Sequence, residues 1–278
     1  MGLLAVVTLK EARALDPAQA ITQYGHTVWT TQNGLPQNSV RSIAQTANGF
    51  LWLATMAGLA RFDGAQFTVF NLANSPALGD EHITAMTAGQ GSTLWLGTSS
   101  GVVHYSNGQF QKLANAEALP HPIVRALLLD AAGTLWIGTD RGLAQLRDGR
   151  IRTVCRGGGE STVHALREYP KGTIWAGTNG GLKKIVNGAM TNYTKEGGLA
   201  GTPVWAIAPS SDGTLWIATR PGGLSAWRDG HFHNYTLRDG LTHDGVTALL
   251  IDRDNNVWAG TDGGGLDLRE AIALANTM

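Results

Sequence analysis

Short apolar stretches alternate with glycine- and asparagine-rich punctuation along this chain, and no apolar stripe recurs at helical spacing. The stretches keep a fixed order. First comes a strand of pattern Val/Ile-x-Ala/Ser-aliphatic: VRSI at Val40, ITAM at Ile83, VRAL at Val124, VHAL at Val163, VWAI at Val204 and VTAL at Val246. A Gly- or Asn-containing turn follows, then a tryptophan strand: LWLAT, LWLGT, LWIGT, IWAGT, LWIAT or VWAGT. Its β-branched and aromatic content suits a half-buried sheet. A Gly-Leu or Gly-Val pair opens a third strand, which ends at Asp63-Gly64, Asn107-Gly108, Asp148-Gly149, Asn187-Gly188 or Asp229-Gly230. Such dipeptides are the strongest short-range hairpin signal. A fourth strand, as at Phe67 to Phe70 or Phe232 to Tyr235, leads through a variable loop into the next unit.

The tryptophans Trp52, Trp95, Trp136, Trp175, Trp216 and Trp258 are spaced by 43, 41, 39, 41 and 42 residues, so the chain is an array of one unit. Six units of four antiparallel strands predict an all-β fold, a six-bladed β-propeller, with each tryptophan packed between neighbouring blades. The sixth unit loses its pattern after Leu268, where REAIALANTM replaces a fourth strand. The segment GHTVWTTQNGLP from Gly25 reads as a strand without a unit, and it is predicted to complete the last blade and close the ring. The expected organisation is a residual signal or disordered N-terminus over 1–20, one six-bladed propeller over 21–268 and an irregular tail over 269–278.

Glycine is abundant at 37 residues and only 15% of residues are charged, which fits many tight turns. Lys+Arg equals Asp+Glu at 21 each and no basic run stands out, which argues against nucleic acid or an anionic membrane surface as partner. The single Cys155 excludes an internal disulfide framework. Leu3 to Leu9 followed by Ala12-Arg13-Ala14 reads as the stump of an export signal, and the predicted location is the periplasm or outside the cell. No stretch is long enough to span a membrane as a helix.

The opening YGHTVWTTQNGLPQNSV, the repeat NGFLWLATMAGLARFDGAQF and the Gly198-Leu199 and Gly240-Leu241 loops resemble the two-component regulator propeller family. These are the sensor ectodomain repeats of bacterial hybrid histidine kinases and diguanylate cyclases. The likeness covers Tyr24 to Leu268. It implies a periplasmic module that senses a small molecule or glycan and signals to a cytoplasmic output domain. No membrane helix or output domain is recognised after the repeats here.

Strand direction puts the loop after each Gly-Thr, and the long loop between units, on one face at the channel mouth, where rigid scaffolds tend to carry function. There the second residue of the first strand breaks the repeat: Arg41, Thr84, Arg125, His164, Trp205 and Thr247. One reading makes these ordinary solvent-facing strand residues. The other is a ligand cup, with Arg41 and Arg125 gripping an anion, Trp205 stacking on a flat face, and His164 and Asn38 alongside.

The preceding loops add His82, His121 and His243 with Glu81, Glu160 and Asp244, donors that would suit zinc or calcium if they converge. A bound metal would activate water, with His164 as general base, giving a metal-dependent hydrolase of phosphotriesters, lactones or esters as the alternative function. Six-bladed calcium propellers with such activities make that an analogy of fold. No HExxH, GxSxG, P-loop or dinucleotide fingerprint is present. A protein-interaction platform is a third possibility.

Overall fold

The computed structural model describes residues 28–262 and the backbone of 271–272. The export-signal stretch, Gly25 to Thr27 and most of the tail fall outside these residues. Six antiparallel sheets follow one another, each with its strands in sequence order. Their innermost strands are Val40–Gln45, Ile83–Ala88, Val124–Leu129, Val163–Glu168, Val204–Pro209 and Val246–Ile251. Their tryptophan strands are Leu51–Thr55, Leu94–Thr98, Leu135–Thr139, Thr173–Thr178, Leu215–Thr219 and Val257–Thr261. The first five sheets have four strands, and in the sixth Ala271–Ile272 pairs with the tryptophan strand. Innermost strands of consecutive sheets lie side by side, the arrangement of propeller blades. Among the described residues no helix is long and apolar enough to cross a membrane.

The hairpins form as their dipeptides dictate. Asn107, Asp148, Asn187 and Asp229 take φ near 50°, each followed by a glycine of positive φ, the mirror-image turn that matches strand twist. Asp63 differs: its carboxylate accepts the N–H groups of Ala65 and Gln66, both at 2.8 Å.

The core lies between sheets. Trp52 clusters with Ile83, Met86 and Leu94 of the second sheet, and Trp136 with Val163, Ile174 and Ala176 of the fourth. Trp175 does so with Val204, Ile207 and Leu215, and Trp216 with Val246, Val257 and Ala259. Trp95 does the same with Val124, Leu135 and Ile137, so the tryptophans of the first five sheets each join their sheet to the next, as the repetition predicts. The glycine after the tryptophan strand's centre keeps that contact close. A Cβ on Gly138 would sit 2.6 Å from Val163 Cγ1.

A second device anchors four of the six indoles at the opposite end of the sheet. The Nε1–H of Trp52, Trp136 and Trp258 donates to Thr46, Asp130 and Asp252, and that of Trp175 to the Tyr169 carbonyl. The acceptor always stands six residues earlier. Asp130 also receives the N–H groups of Ala132 at 2.9 Å and Thr134 at 2.8 Å, so one carboxylate closes the turn and fixes the ring. Asp130→Ala strands three donors at once and should lower stability by about 1–3 kcal/mol. Urea denaturation checks this, and Asp130→Asn should recover part of the loss.

The N-terminal segment departs from expectation. Residues 28–30 are irregular and Thr31–Asn33 form a 3-10 turn capped by Thr30, so the described part is not a strand of the last sheet. Trp29 instead packs on Phe62 and Phe67 of the first sheet, with ring centroids 5.1 and 6.5 Å apart. The physical reason is local: Asn33 and Thr30 cap the turn, and Phe62 and Phe67 give the indole an apolar surface.

Candidate functional site

The residue that breaks the repeat is a β-bulge in all six sheets. Pairing passes from Val40↔Thr55 to Ser42↔Ala54 and skips Arg41. The same skip falls on Thr84, Arg125, His164, Trp205 and Thr247. A bulge leaves one residue without a ladder partner and re-aims its side chain, and bulges gather next to functional sites. The scaffold thus tolerates any residue there.

Three of these bulges converge. Arg125, His164 and Trp205, from the third, fourth and fifth sheets, line one cleft of about 570 Å³. Asp140, Asn179, Thr162 and Gly159 complete it. Arg125 donates from Nε to Asp140 Oδ1 at 2.6 Å and from Nη2 to Oδ2 at 3.2 Å. His164 Nε2 lies 2.6 Å from Asn179 Oδ1. The Asn179 amide donates from Nδ2 to the Gly159 carbonyl, which turns its oxygen towards the imidazole. The neutral ring therefore carries its proton on Nε2 and leaves Nδ1 as an acceptor. The imidazole stacks on Trp205 with centroids 4.2 Å apart and planes 24° apart. The Trp205 indole N–H is buried without an acceptor, an unmet donor of the kind functional sites retain.

Asp140 and Asn179 were not legible as site residues, although a signal existed. Each stands fifteen positions after a bulge residue and directly follows the Gly-Thr of the tryptophan strand. The backbone N–H of Asp140, Asn179, Arg220 and Asp262 is tied to the loop before its own bulge. Arg220 and Asp262 of adjacent sheets form an ion pair on the same face.

Burial holds His164 below its ordinary value of 6.5, with the Arg125 charge acting the same way and Asn179 and Asp140 opposing. His104, stacked on Trp95, is lowered by burial too. A histidine with a depressed folded-state pKa lets the unfolded chain take up the proton first as pH falls. The penalty is absent above the unfolded value near 6.5 and grows as pH drops towards the folded value. Lowering pH from about 7 to about 5 should therefore lower Tm, and His164→Gln should make that drop smaller. An equal drop in both proteins would contradict the shift.

The other predicted residues lie elsewhere. Arg41 Nη2 rests 3.4 Å from Met56 Sδ on the first sheet, outside the cleft. Asn38 accepts the Thr31 N–H at 2.8 Å and shapes the N-terminal turn. Of the two arginines expected to grip an anion, Arg41 does not line this cleft and the fork of Arg125 already holds Asp140.

Among the described residues, no three His, Cys, Asp or Glu side chains gather as a metal would require. Glu81 accepts the Leu72 N–H and Asp244 that of Leu237. His121 and His243 accept from Ile123 and Gly245 through Nδ1. Glu160 receives the Gly180 N–H on its backbone carbonyl, and His82 is turned by Asp80, whose carboxylate takes its N–H. These groups close their own loops rather than share one centre.

The profile of the two-component regulator propeller matches residues 34–57, 118–141, 198–220 and 240–263. Four of the six units are matched as two-component regulator propeller repeats. Each matched segment runs from the inter-sheet loop through the bulge to, or one past, the residue after Gly-Thr or Ala-Thr, so the repeat spans both variable positions; the fourth sheet, with His164 and Asn179, is not among the matched segments. No curated protein sequence matches the chain.

Among solved structures, the chain is similar to the extracellular domain of BT4673 from B. thetaiotaomicron, described as a one-component or hybrid two-component system. That likeness has 20% identity, a TM-score of 0.59, and covers 81% of this chain and 39% of that one. PorZ, a surface component of the type-IX secretion system of Porphyromonas gingivalis, gives 13% identity, TM-score 0.63 and coverage of 80% and 37%. Virginiamycin B lyase of Staphylococcus aureus gives 13%, 0.63, and coverage of 82% and 79%. At these identities the likeness shows the propeller fold alone. The chain spans about two-fifths of the length of BT4673's domain.

Proposed function

We propose that the six sheets are blades around one channel, and that the chain is the ligand-binding part of a sensor. It takes a small, polar, uncharged molecule in the cleft between the third, fourth and fifth sheets. The observation that supports this is the meeting of Arg125, His164 and Trp205, three residues foreign to the repeat, at equivalent bulges of consecutive sheets. The cleft volume of about 570 Å³ suits a small molecule.

The charge balance favours a neutral ligand. Arg125 is matched by Asp140, and His164 is held towards its neutral form. What remains for a ligand is a set of hydrogen-bonding edges beside an aromatic wall. The Arg125–Asp140 pair is half-exposed, at 44% and 22%, and such pairs contribute only about 0–1 kcal/mol to folding. Its value on this reading lies in orientation. The same proposal puts the chain in the periplasm or outside the cell, in keeping with the extracellular placement of BT4673's domain.

The test is a screen of neutral and anionic small molecules by tryptophan fluorescence and thermal shift. Hits should be uncharged, and their affinity should hold between ~0.1 M and ~1 M salt, over which the Debye length falls from about 10 to about 3 Å. Binding of anions alone, collapsing in salt, would sink this reading.

A further inference from the structure

The outermost strand of the third sheet is unlike its counterparts. It runs for seven residues, Arg150–Arg156, where those of the other four-stranded sheets run for four or five. It pairs on one side only, with Gly142–Arg147. Among the described residues nothing pairs with its other edge, which presents a row of main-chain N–H and C=O groups.

Its charge is unusual too. From Arg141 to Arg156 the chain has five arginines and one acid, Asp148, although the whole chain balances Lys+Arg and Asp+Glu at 21 each. Alternation along the strands disperses these arginines in the sequence, and pairing assembles them. Arg150 lies directly opposite Arg147, and Arg152 lies opposite Gln145, itself the neighbour of Trp136. Three exposed guanidiniums therefore share the tryptophan face of one hairpin. Arg156, beyond the register shift, turns away and donates to the Leu119 carbonyl at 3.3 Å.

Like charges directly opposite one another weaken a hairpin. Among the described residues little offsets them. Arg147 has one ion pair, at 3.8 Å with Asp148, whose carboxylate is 91% exposed, and Arg150 and Arg152 have none. The facing side of the fourth sheet adds another cation, Lys183, which donates to Asn192 Oδ1 at 2.8 Å. A single charge is enough to guard a free edge against stray pairing, and three on one face exceed that need.

We infer that this edge is a docking site for an extended acidic segment of a partner protein, which adds as a further strand along Arg150–Thr153 with carboxylates at alternate positions. Alternate side chains of an added strand fall on one face, about 5 Å from Arg150 and Arg152 in turn. Each guanidinium fork can then donate two N–H groups to one carboxylate. The main-chain groups of the edge supply the remaining hydrogen bonds, as in other strand additions. The register shift between Thr153 and Cys155 ends the regular edge and limits the matched stretch. A polysaccharide or a nucleic acid would meet the charges and leave the main-chain groups unpaired. The edge starts at the Asp148-Gly149 turn, the end of the hairpin away from Asp140 and the cleft.

The test titrates the full chain into a short fluorescent peptide that alternates glutamate with threonine and valine, read by anisotropy. Comparison probes are a peptide of the same composition with its glutamates contiguous, and two N-methylated forms of the alternating peptide, each blocking one of its edges. A sulfated polysaccharide and a single-stranded oligonucleotide serve as other polyanions. The alternating peptide should bind, the contiguous one roughly 10-fold or more weakly, and one N-methylated form not at all. Arg150→Gln with Arg152→Gln should weaken binding roughly 10-fold or more, with Tm unchanged or raised as the like charges go. If that double variant does not melt cooperatively, Arg152→Gln alone takes its place. No binding at ~1 mM peptide would overturn the inference. So would undiminished binding by either variant, by both N-methylated forms or by the contiguous peptide. Equal binding by the polysaccharide or the oligonucleotide would reduce the edge to a general attraction for polyanions, and overturns it as well. None of these readouts involves the cleft, so failure here leaves that reading intact.

Discussion

Trp175→Ala should lower the unfolding free energy by about 3–5 kcal/mol, the range for a large aromatic removed from a core. The ring is 1% exposed and packs on Val204, Ile207 and Leu215 of the following sheet. It meets Trp227 edge-on at 5.0 Å, and Lys184 Nζ lies 5.3 Å over its face. Its N–H donates to the Tyr169 carbonyl at 2.6 Å, so truncation also leaves that acceptor without its partner. Few side chains could refill the space, because the neighbouring sheet is held by its own turn. Urea denaturation should show an earlier midpoint. A loss under ~1 kcal/mol would mean that the tryptophan face does not join the sheets. In a linear array, stability is the sum of units and of contacts between neighbours, so this one change weakens the fourth and fifth sheets together.

Trp205→Ala should do the reverse. Trp205 sits on a bulge rather than in the ladder, is half-buried, and stacks on His164 at 4.2 Å. Losing that stack costs folding about 0.5–1.5 kcal/mol at most. The same ring forms a wall of the cleft, and its removal should weaken the ligand found in the screen by roughly 10- to 100-fold, equivalent to about 1.4–2.7 kcal/mol. Titration calorimetry alongside a melting curve separates the two effects. Unchanged affinity with a large fall in Tm would make Trp205 part of the scaffold and remove the main support for the cleft. Arg125→Ala should behave similarly, since its ion pair contributes little to folding.

The sheets were legible because their signals are local. Asn-Gly and Asp-Gly set the hairpins, and the period of the tryptophans set the sheet count. Arg125, His164 and Trp205 were legible because the repeat supplies its own alignment. Asp140 and Asn179 were not, because they meet their partners across a hairpin whose register is shifted by the bulge. That shift brings fifteen-residue neighbours together, and only the pairing reveals it. Arg41 shares the same register yet faces Met56, since membership of one cleft depends on which blades adjoin. Among the described residues the expected metal donors do not gather, for a related reason. His82, His121 and His243 stand at different offsets before their strands, and the donors around them are used in closing individual loops. Of the closing strand expected from Gly25, residues 25–27 lie outside the described residues, and in the described part Trp29 packs on Phe62 and Phe67 of the first sheet.

The described units spend their constant letters on the ladder and, in most of them, on the hairpin and the indole anchor, and leave two letters open: the bulge and the residue that faces it after Gly-Thr or Ala-Thr. Those two sit outside the ladder pairing, so exchanging them alters the face that carries the cleft more than the sheets beneath it. A protein made this way can change its chemical taste blade by blade. Transplanting the pair His164 and Asn179 onto another unit amounts to editing an address, with the building left standing.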